Sequence, residues 1–183
     1  YPTKNLGAIG DAGILTTSNK DFYQKAIMIR EYGWKDRDSL IRGRNSRLDE
    51  IQAAILRVKL NYLDEDNQKR KEIAKKYQVL NSSNFITPKI RTDCSHVFHQ
   101  FVCLSDRRDE LMAYLKGKNI LTGIHYPKPV HLQLGYSDIV SFRCLSETEN
   151  ISSKIISLPI YPELKPSETD KVIKAIQSFL ATS

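Results

Sequence analysis

The chain has 183 residues, 40% of them hydrophobic and 27% charged, which is enough for one ordinary domain or for a small domain with part of another. This composition excludes a disordered tail and a collagen-like repeat, and no apolar run is long enough to predict a membrane-spanning helix. The net charge of +7 indicates a negatively charged partner, which could be a nucleic acid, a phosphorylated metabolite, a cofactor phosphate or an acidic protein.

The first predicted elements are a strand and a helix. Residues 12–17 are apolar and β-branched after a glycine-rich stretch, which predicts a buried strand. Ser18 fits the N-cap of the following helix, and Gly33 fits the C′ position that ends it. Residues 34–46 are predicted to form a polar loop rich in basic side chains.

The strongest helical pattern starts at Leu48. Apolar side chains recur at helical spacing from there without a proline, so we expect a helix to about Leu80 with a break between Asn61 and Asp66. The stretch 68–76 within it is rich in Lys and Arg. It could be a nucleic-acid-binding face, but an apolar stripe continues through it, which favours the solvated exterior of a helix.

Shorter elements are predicted in the second half of the chain. Strands are expected at residues 97–104, 122–126 and 157–160, with helices at residues 107–118 and from Ser167 onward, capped by Asp106 and Ser167. The order strand, helix, strand, strand, helix predicts an α/β sandwich of about 100 residues.

Cysteine and histidine patterns point to no local chemistry. Cys94, Cys103 and Cys144 are far apart without a CxxC pair, which favours reduced thiols in a cytoplasmic protein over a disulfide framework. His96 and His99 would point to opposite faces of a predicted strand, and no further ligand completes a set, so no metal site is predicted.

The N-terminal stretch combines a lysine with spaced glycines. Lys4 precedes Gly7, Gly10 and Gly13, which match neither the GxGxxG nor the GxxxxGK[ST] fingerprint. Taken alone, a lysine near a terminus is expected to be solvated. Because the chain opens at Tyr1 without a Met, directly before this stretch, we expect a fragment of a longer protein.

Five segments carry distinctive motifs: the lysine segment 1–17, R-x-Y-G at 30–33, N-x-R-L-x-x-I-Q-A-A at 45–54, H-Y-P-x-P-x-H-x-Q at 125–133, and L-P-I-x-P at 158–162. In this order they resemble the motifs of the nucleotide-sugar aminotransferases of the DegT/StrS family, which are fold-type I enzymes dependent on pyridoxal 5'-phosphate (PLP). Agreement of five ordered motifs over nearly the whole chain is not a chance event.

The resemblance implies an α/β fold, the C-terminal part of a fold-type I PLP-dependent transferase. Residues 1–66 would be the remnant of the large PLP-binding domain and the start of a long connecting helix, and residues 67–183 the small α/β sandwich domain. In the family, an aspartate on the pyridine nitrogen, a group stacked on the ring and a phosphate-binding turn precede the lysine. The chain as it stands would therefore be incomplete for catalysis.

The resemblance also implies the roles of residues around the cofactor. Lys4 would form a Schiff base with PLP and then shuttle a proton. Asn45 would bind the cofactor phosphate of the neighbouring subunit, which implies a homodimer. Arg47 would bind substrate or phosphate, or it would form a structural ion pair with Asp49 or Glu50.

His125, Tyr126 and His131 would line the sugar or nucleotide side of the cleft, or they would be structural loop residues. The implied activity is transfer of an amino group from glutamate to a keto-sugar linked to a nucleotide diphosphate, for polysaccharide or natural-product biosynthesis. The alternative is a truncated, non-catalytic or regulatory member of the same fold that contacts nucleic acid.

Overall fold

The computed structural model describes residues 1–136 and 144–182. The chain divides into two compact units, Tyr1–Asp64 and Glu65–Ser183. Among the described residues, no helix has both the length and the apolar character needed to cross a membrane.

The first unit contains helix α1 (Lys20–Arg30), a hairpin of strands β1 (Trp34–Lys35) and β2 (Asp38–Ser39), and helix α2 (Glu50–Leu60). The hairpin lies inside the predicted polar loop. Its turn residues, Asp36 and Arg37, both have positive φ angles, of 53° and 68°, as a two-residue hairpin turn requires.

The ends of α1 differ from the prediction by one residue. The N-cap is Asn19 instead of Ser18, and its side-chain oxygen accepts a hydrogen bond from the backbone N–H of Phe22 at 2.9 Å. Tyr32 occupies the C′ position predicted for Gly33, with a φ of 61°. Gly33 follows with a φ of 77°, and its N–H donates to the carbonyl of Met28 at 2.7 Å, as in a Schellman motif.

The predicted buried strand at residues 12–17 is wrong: these residues are exposed and have no regular secondary structure. A strand needs a neighbour that pairs with its backbone N–H and carbonyl groups. No described segment pairs with residues 12–17, and the side chain of Ile14 is 92% exposed.

The long helix predicted from Leu48 to Leu80 is three consecutive elements. Helix α2 starts at Glu50, a turn at Asn61 and Tyr62 follows, and helix α3 (Leu63–Tyr77) leads into a short 3-10 helix (Gln78–Leu80). The turn falls where the break was expected.

The second unit adds to α3 the strand β3 (Phe101–Leu104), helices α4 (Arg108–Gly117), α5 (Ser146–Lys154) and α6 (Pro166–Leu180), and the strand β4 (Ile155–Leu158). Two 3-10 turns, Val130–Leu132 and Leu134–Tyr136, precede α5. Strands β3 and β4 are antiparallel, with Phe101 opposite Leu158 and Leu104 opposite Ile155.

The three strands predicted in this unit need correction. The strand at 97–104 starts only at Phe101, because Phe98 has a φ of 46° that interrupts the extended backbone. The strand at 157–160 lies at Ile155–Leu158, since Pro159 has no N–H to donate and ends it. The strand at 122–126 is a single bridge between Gly123 and Ser157.

Two predicted helix caps are also displaced. The N-cap position of helix α4 is occupied by Arg107 instead of Asp106. Helix α6 starts two residues earlier than predicted because Pro166 occupies its first position, where a missing N–H costs nothing and φ is preset. The backbone N–H of Lys165 donates to the Glu168 carboxylate at 2.9 Å.

One hydrophobic core is shared by helices α3, α4 and α6 and strands β3 and β4. The side chains of Val172, Ile176 and Phe179 recur at four and three residues and bury one face of α6. Tyr114 packs against Phe179 with ring centroids 5.4 Å apart. The largest fully buried side chains are Tyr77, Phe85, Phe101, Leu111, Leu115, Ile156 and Ile176.

Candidate functional site

Lys4 is the last residue of a tight turn at the start of the first unit. Its backbone N–H donates to the carbonyl of Tyr1 at 3.1 Å. Gly7 is buried beneath this turn, where a Cβ would overlap the carbonyl groups of Tyr1 and Pro2. The turn therefore requires glycine at position 7, and it presents Lys4 as an exposed side chain whose amine lies 6.0 Å from the centre of the Tyr1 ring.

Gln52 of α2 fixes the backbone that follows Lys4. Its Oε1 accepts a hydrogen bond from the N–H of Gly10 at 2.8 Å, and its Nε2 donates to the carbonyl of Asp11 at 3.0 Å. One amide thus satisfies a donor and an acceptor of a segment that pairs with no strand among the described residues. This role had no local signal in the sequence, although Gln52 belongs to the N-x-R motif segment.

The loop that carries Asn45 is bonded to the end of α1. Arg44 exchanges backbone hydrogen bonds with this end, accepting from Tyr32 at 3.1 Å and donating to Ile29 at 2.9 Å, and Ser46 donates to Arg30 at 3.0 Å. The backbones of Gly33 and Gly43 meet here so closely that a Cβ on Gly43 would overlap the Gly33 backbone nitrogen. These contacts hold Asn45 at a defined place.

Asn45 and Arg47 lie together on this exposed loop. The side-chain oxygen of Asn45 accepts from Nε of Arg47 at 3.3 Å, which leaves the Asn45 amide group as a hydrogen-bond donor for an anion. The Arg47 guanidinium lies 6.0 Å from the centre of the Tyr32 ring. The ion pair considered for Arg47 with Asp49 or Glu50 does not form among the described residues.

His125 and Tyr126 lie on an exposed loop of the second unit. The two rings meet edge to face with centroids 5.8 Å apart, and Tyr126 is 71% exposed. Nδ1 of His125 lies 2.9 Å from the hydroxyl of Ser157 on β4. The structure therefore presents both predicted binding residues to solvent next to each other.

His131 is placed differently from His125, although both belong to the same motif. It is 9% exposed, and its Nε2 lies 3.1 Å from a carboxylate oxygen of Glu149 on α5. Two residues further on, the side-chain amide of Gln133 donates to the carbonyl of Lys128 at 3.0 Å. His131 and Gln133 thus hold the loop together from within.

The basic run 68–76 is not uniformly solvated, which corrects the expectation of a helix exterior. Arg70 is 8% exposed and donates to the carbonyls of Ile160, Phe98 and His99 at 2.8, 3.3 and 3.5 Å. Burial lowers the pKa of Arg70, and the carboxylates of Glu163 and Asp66 oppose that shift.

The histidines and cysteines form no metal-binding cluster among the described residues. Over residues 1–136 and 144–182, no three His, Cys, Asp or Glu side chains come close enough to hold a metal ion. The ring nitrogen Nδ1 of His96 accepts a hydrogen bond from the Phe98 N–H at 2.8 Å. Cys103 is buried, which raises the pKa of its thiol, while Cys94 and Cys144 are exposed.

Comparison with known proteins identifies the family of this chain. The DegT/DnrJ/EryC1/StrS aminotransferase family matches residues 1–177. The chain belongs to this family. Its members are PLP enzymes, and the family includes named sugar transaminases, as the resemblance predicted.

The chain matches about half the length of its relatives in the family. It is 42% identical to the dTDP-3-amino-3,6-dideoxy-alpha-D-galactopyranose transaminase of Aneurinibacillus thermoaerophilus, over 98% of this chain and 54% of that protein. It superposes on DesV of S. venezuelae with a TM-score of 0.91 at 34% identity, covering 98% and 49% of the two chains. The chain spans about half the length of the curated relatives it matches.

The fold is that of the fold-type I PLP aminotransferases, as predicted. NtdA of Bacillus subtilis, solved with bound cofactor PMP, superposes with a TM-score of 0.86 at 28% identity over 97% of this chain and 43% of that one. The residues of the first unit fit the family cofactor: Lys4 offers an exposed amine on a glycine-dependent turn, and Asn45 and Arg47 offer donors for an anion.

Proposed function

We propose that this chain supplies the cofactor lysine and the substrate-binding small domain of a PLP-dependent aminotransferase that acts on a nucleotide-diphosphate-linked keto-sugar, with glutamate as the amino donor. The observation that carries the proposal is the exposed Lys4 on the turn closed by Gly7, within a chain that matches the family over residues 1–177. Residues 1–66 are assigned to the large domain and the start of its connecting helix, and residues 67–183 to the small domain.

Three residues of the first unit have a definite task in this proposal: Lys4, Asn45 and Arg47. When bound, PLP supplies an electron-accepting ring that makes the proton on the amine-bearing carbon easier to remove. Lys4 would hold the cofactor through its amine. Once released, the Lys4 amine would carry the proton between the amine-bearing carbon of the substrate and the cofactor. The Asn45 amide donates to the cofactor phosphate, and Arg47 binds the phosphate or the substrate.

In the second unit, His125 and Tyr126 bind the sugar or the nucleotide. Their exposure and edge-to-face contact support this assignment, because together they offer a ring surface and polar atoms to a ligand. The contact of His131 with Glu149 supports a loop-holding role for His131, and its direct contact with substrate stays a prediction.

A homodimer with shared sites is part of the same proposal, since Asn45 would serve the cofactor of a second copy. Helix α2 exposes the apolar side chains of Ile51, Val58 and Leu60. Their exposure supports the proposal that this helix is buried against another polypeptide surface. Sedimentation equilibrium of the protein from its complete gene tests this assembly, and a monomer at micromolar concentration would contradict it.

The cofactor assignment has a direct test. The protein from its complete gene is purified, mixed with PLP, reduced with borohydride and digested. Mass spectrometry then locates the lysine that carries the cofactor. We expect the label on Lys4. We also expect the protein with bound PLP to show an absorbance band in the visible region, and we expect both the label and this band to be lost in Lys4→Ala. Lys20→Ala, which changes an exposed lysine at the start of α1, is the matched control and should keep both.

A band of unchanged intensity in Lys4→Ala, or a label on another lysine, would refute the assignment. Two of the five cations in the basic run do not support the nucleic-acid alternative, because Arg70 is turned into the core and Lys69 is paired with Glu65 at 2.7 Å and Asp66 at 3.7 Å.

A further inference from the structure

Ser157 is the residue of β4 to which the His125 loop is attached. Its backbone N–H donates to the carbonyl of Gly123 at 2.8 Å, and its carbonyl accepts from the Gly123 N–H at 3.1 Å. In the β3–β4 register, Ser157 lies opposite Val102. The backbone that leads into His125 is therefore bonded to a residue fixed in the sheet.

The His125 ring is also held by the Ser157 side chain. The Ser157 hydroxyl lies 2.9 Å from Nδ1 of the ring, and Ser157 itself is 6% exposed. A Cβ on Gly123 would lie 2.7 Å from Cε1 of the same ring. A larger residue at position 123 would therefore displace the imidazole. Its Nδ1 atom faces Ser157 of β4.

The direction of this hydrogen bond follows from the burial of the hydroxyl. A buried hydroxyl proton needs an acceptor, and among the described residues the acceptor within reach of Ser157 is Nδ1 of His125. If the hydroxyl donates to Nδ1, the neutral ring carries its own proton on Nε2. None of the described residues forms a hydrogen bond with that Nε2.

We infer that Ser157 is a positioning residue for His125, which it holds in the Nε2–H form so that this N–H can donate to an oxygen of the nucleotide-linked sugar. The inference rests on the proposed function for its ligand. The hydrogen bond and the tautomer can be tested without any ligand. Nothing in the local sequence distinguishes Ser157 from an ordinary strand serine.

The first experiment reads the ring directly. Protein labelled with 15N-histidine is studied by long-range 1H–15N NMR at pH 8, above the ordinary histidine pKa of about 6.5. His125→Gln identifies the His125 signals among those of the other histidines. We expect Nε2 to carry the proton, and we expect the Nδ1 shift to move to that of an unbonded nitrogen in Ser157→Ala and to be retained in Ser157→Thr.

Ser105→Ala is the matched control, because Ser105 is also a buried serine next to this sheet and, among the described residues, its side chain forms no hydrogen bond with His125. It should leave the His125 signals unchanged. A proton on Nδ1 in the wild-type protein, or a His125 spectrum that is identical in Ser157→Ala, would overturn the inference.

The second experiment reads the ligand through kinetics. The protein from its complete gene is supplied with dTDP-3-amino-3,6-dideoxy-α-D-galactopyranose and the keto acid 2-oxoglutarate, and the proposed reaction run in reverse would give the keto-sugar and glutamate. Ser157→Ala should weaken the apparent affinity for the amino sugar, raising its KM about tenfold, while kcat and the KM for the keto acid stay nearly unchanged. Ser157→Thr should restore the wild-type behaviour.

An amino-sugar KM in Ser157→Ala that equals that of the wild type would overturn the role of Ser157 towards substrate. A wild-type enzyme that transaminates no nucleotide sugar would instead refute the proposed function.

Discussion

The carboxylate of Glu149 lies 3.1 Å from Nε2 of the buried His131, and this contact joins α5 to the 3-10 turn Val130–Leu132. The two residues are 18 positions apart, and the intervening chain includes the loop that holds Gln133. A buried imidazole nitrogen needs such a partner, because leaving it unsatisfied costs about 1–3 kcal/mol. The pair therefore stabilises the inner side of the loop whose outer side carries His125.

Replacing Glu149 should loosen this loop. We expect Glu149→Ala to lower the free energy of unfolding by about 1 kcal/mol, a modest value because the carboxylate is half exposed. Amide hydrogen exchange in residues 130–136 should become faster. Glu147→Ala changes an exposed glutamate of the same helix and should alter neither quantity. Unchanged exchange in Glu149→Ala would show that the pair does not hold the turn.

Arg70 should matter more for stability than any other cation of the basic run. It donates to three backbone carbonyls from two segments that are distant in sequence, while its own Nε has no partner in the described part of the chain. Arg70→Ala leaves the carbonyls without that donor and should lower the free energy of unfolding by about 2 kcal/mol in urea titrations. The exposed neighbour Lys75, changed to Ala, is the control and should cause little change.

Helix α6 and the two-part helix α2–α3 were predictable from sequence because their apolar spacing is a local property. The strand at 12–17 was not, since a strand depends on a partner elsewhere. Helix α5 was missed because its sequence, SETENISSK, has almost no apolar residue to mark a face. The N-cap of α1 was displaced by one residue because Ser18 and Asn19 are both good caps, and only backbone geometry decides between them.

The candidate site was also only partly predictable from the sequence. The motifs drew attention to Lys4, Asn45 and His125. They did not show that Gln52 bonds to Gly10, 42 residues away, or that a strand serine holds His125 across 32 residues. Side chains that hold a site are identified by distance in space, whereas motifs identify residues by their order along the chain.

Alkaline pH should destabilise the second unit. Burial raises the pKa of the Tyr77 hydroxyl, which donates to the carbonyl of Pro159 at 2.9 Å, and burial also raises the pKa of the Cys103 thiol. Both groups are more easily ionised in the unfolded chain, where their ordinary pKa values are 10.0 and 9.0. The stability they contribute is complete below these values and is lost as the pH rises towards the folded-state values.

We therefore expect the free energy of unfolding to fall above pH 10 by about 1.4 kcal/mol per pH unit for each group. Tyr77→Phe should remove the contribution of one group from this slope. It should also lower the free energy of unfolding at neutral pH by about 1 kcal/mol, because the hydrogen bond is lost. Tyr126→Phe removes the hydroxyl of an exposed tyrosine and should leave the slope unchanged. An equal slope in wild type and Tyr77→Phe would contradict the assignment.

The last prediction concerns Gly33, whose backbone meets that of Gly43 next to the Asn45 loop. Gly33 has a φ of 77°, and a Cβ there would overlap the carbonyl of Ile41, so Gly33→Ala combines backbone strain with a steric clash against backbone atoms. We expect it to lower the free energy of unfolding by at least about 2 kcal/mol. It should also accelerate amide exchange in residues 43–47, since that loop is bonded to the same turn.

Gly13→Ala is the matched control for this change, because a Cβ at position 13 meets nothing within 4 Å and the residue has no positive φ. It should stay within about 0.5 kcal/mol of the wild type. If the proposed phosphate role of Asn45 is right, Gly33→Ala should also weaken PLP binding in equilibrium dialysis while Gly13→Ala does not. Faster exchange in residues 43–47 with unaltered PLP affinity would show that the loop is held by Gly33 but that Asn45 does not bind the phosphate.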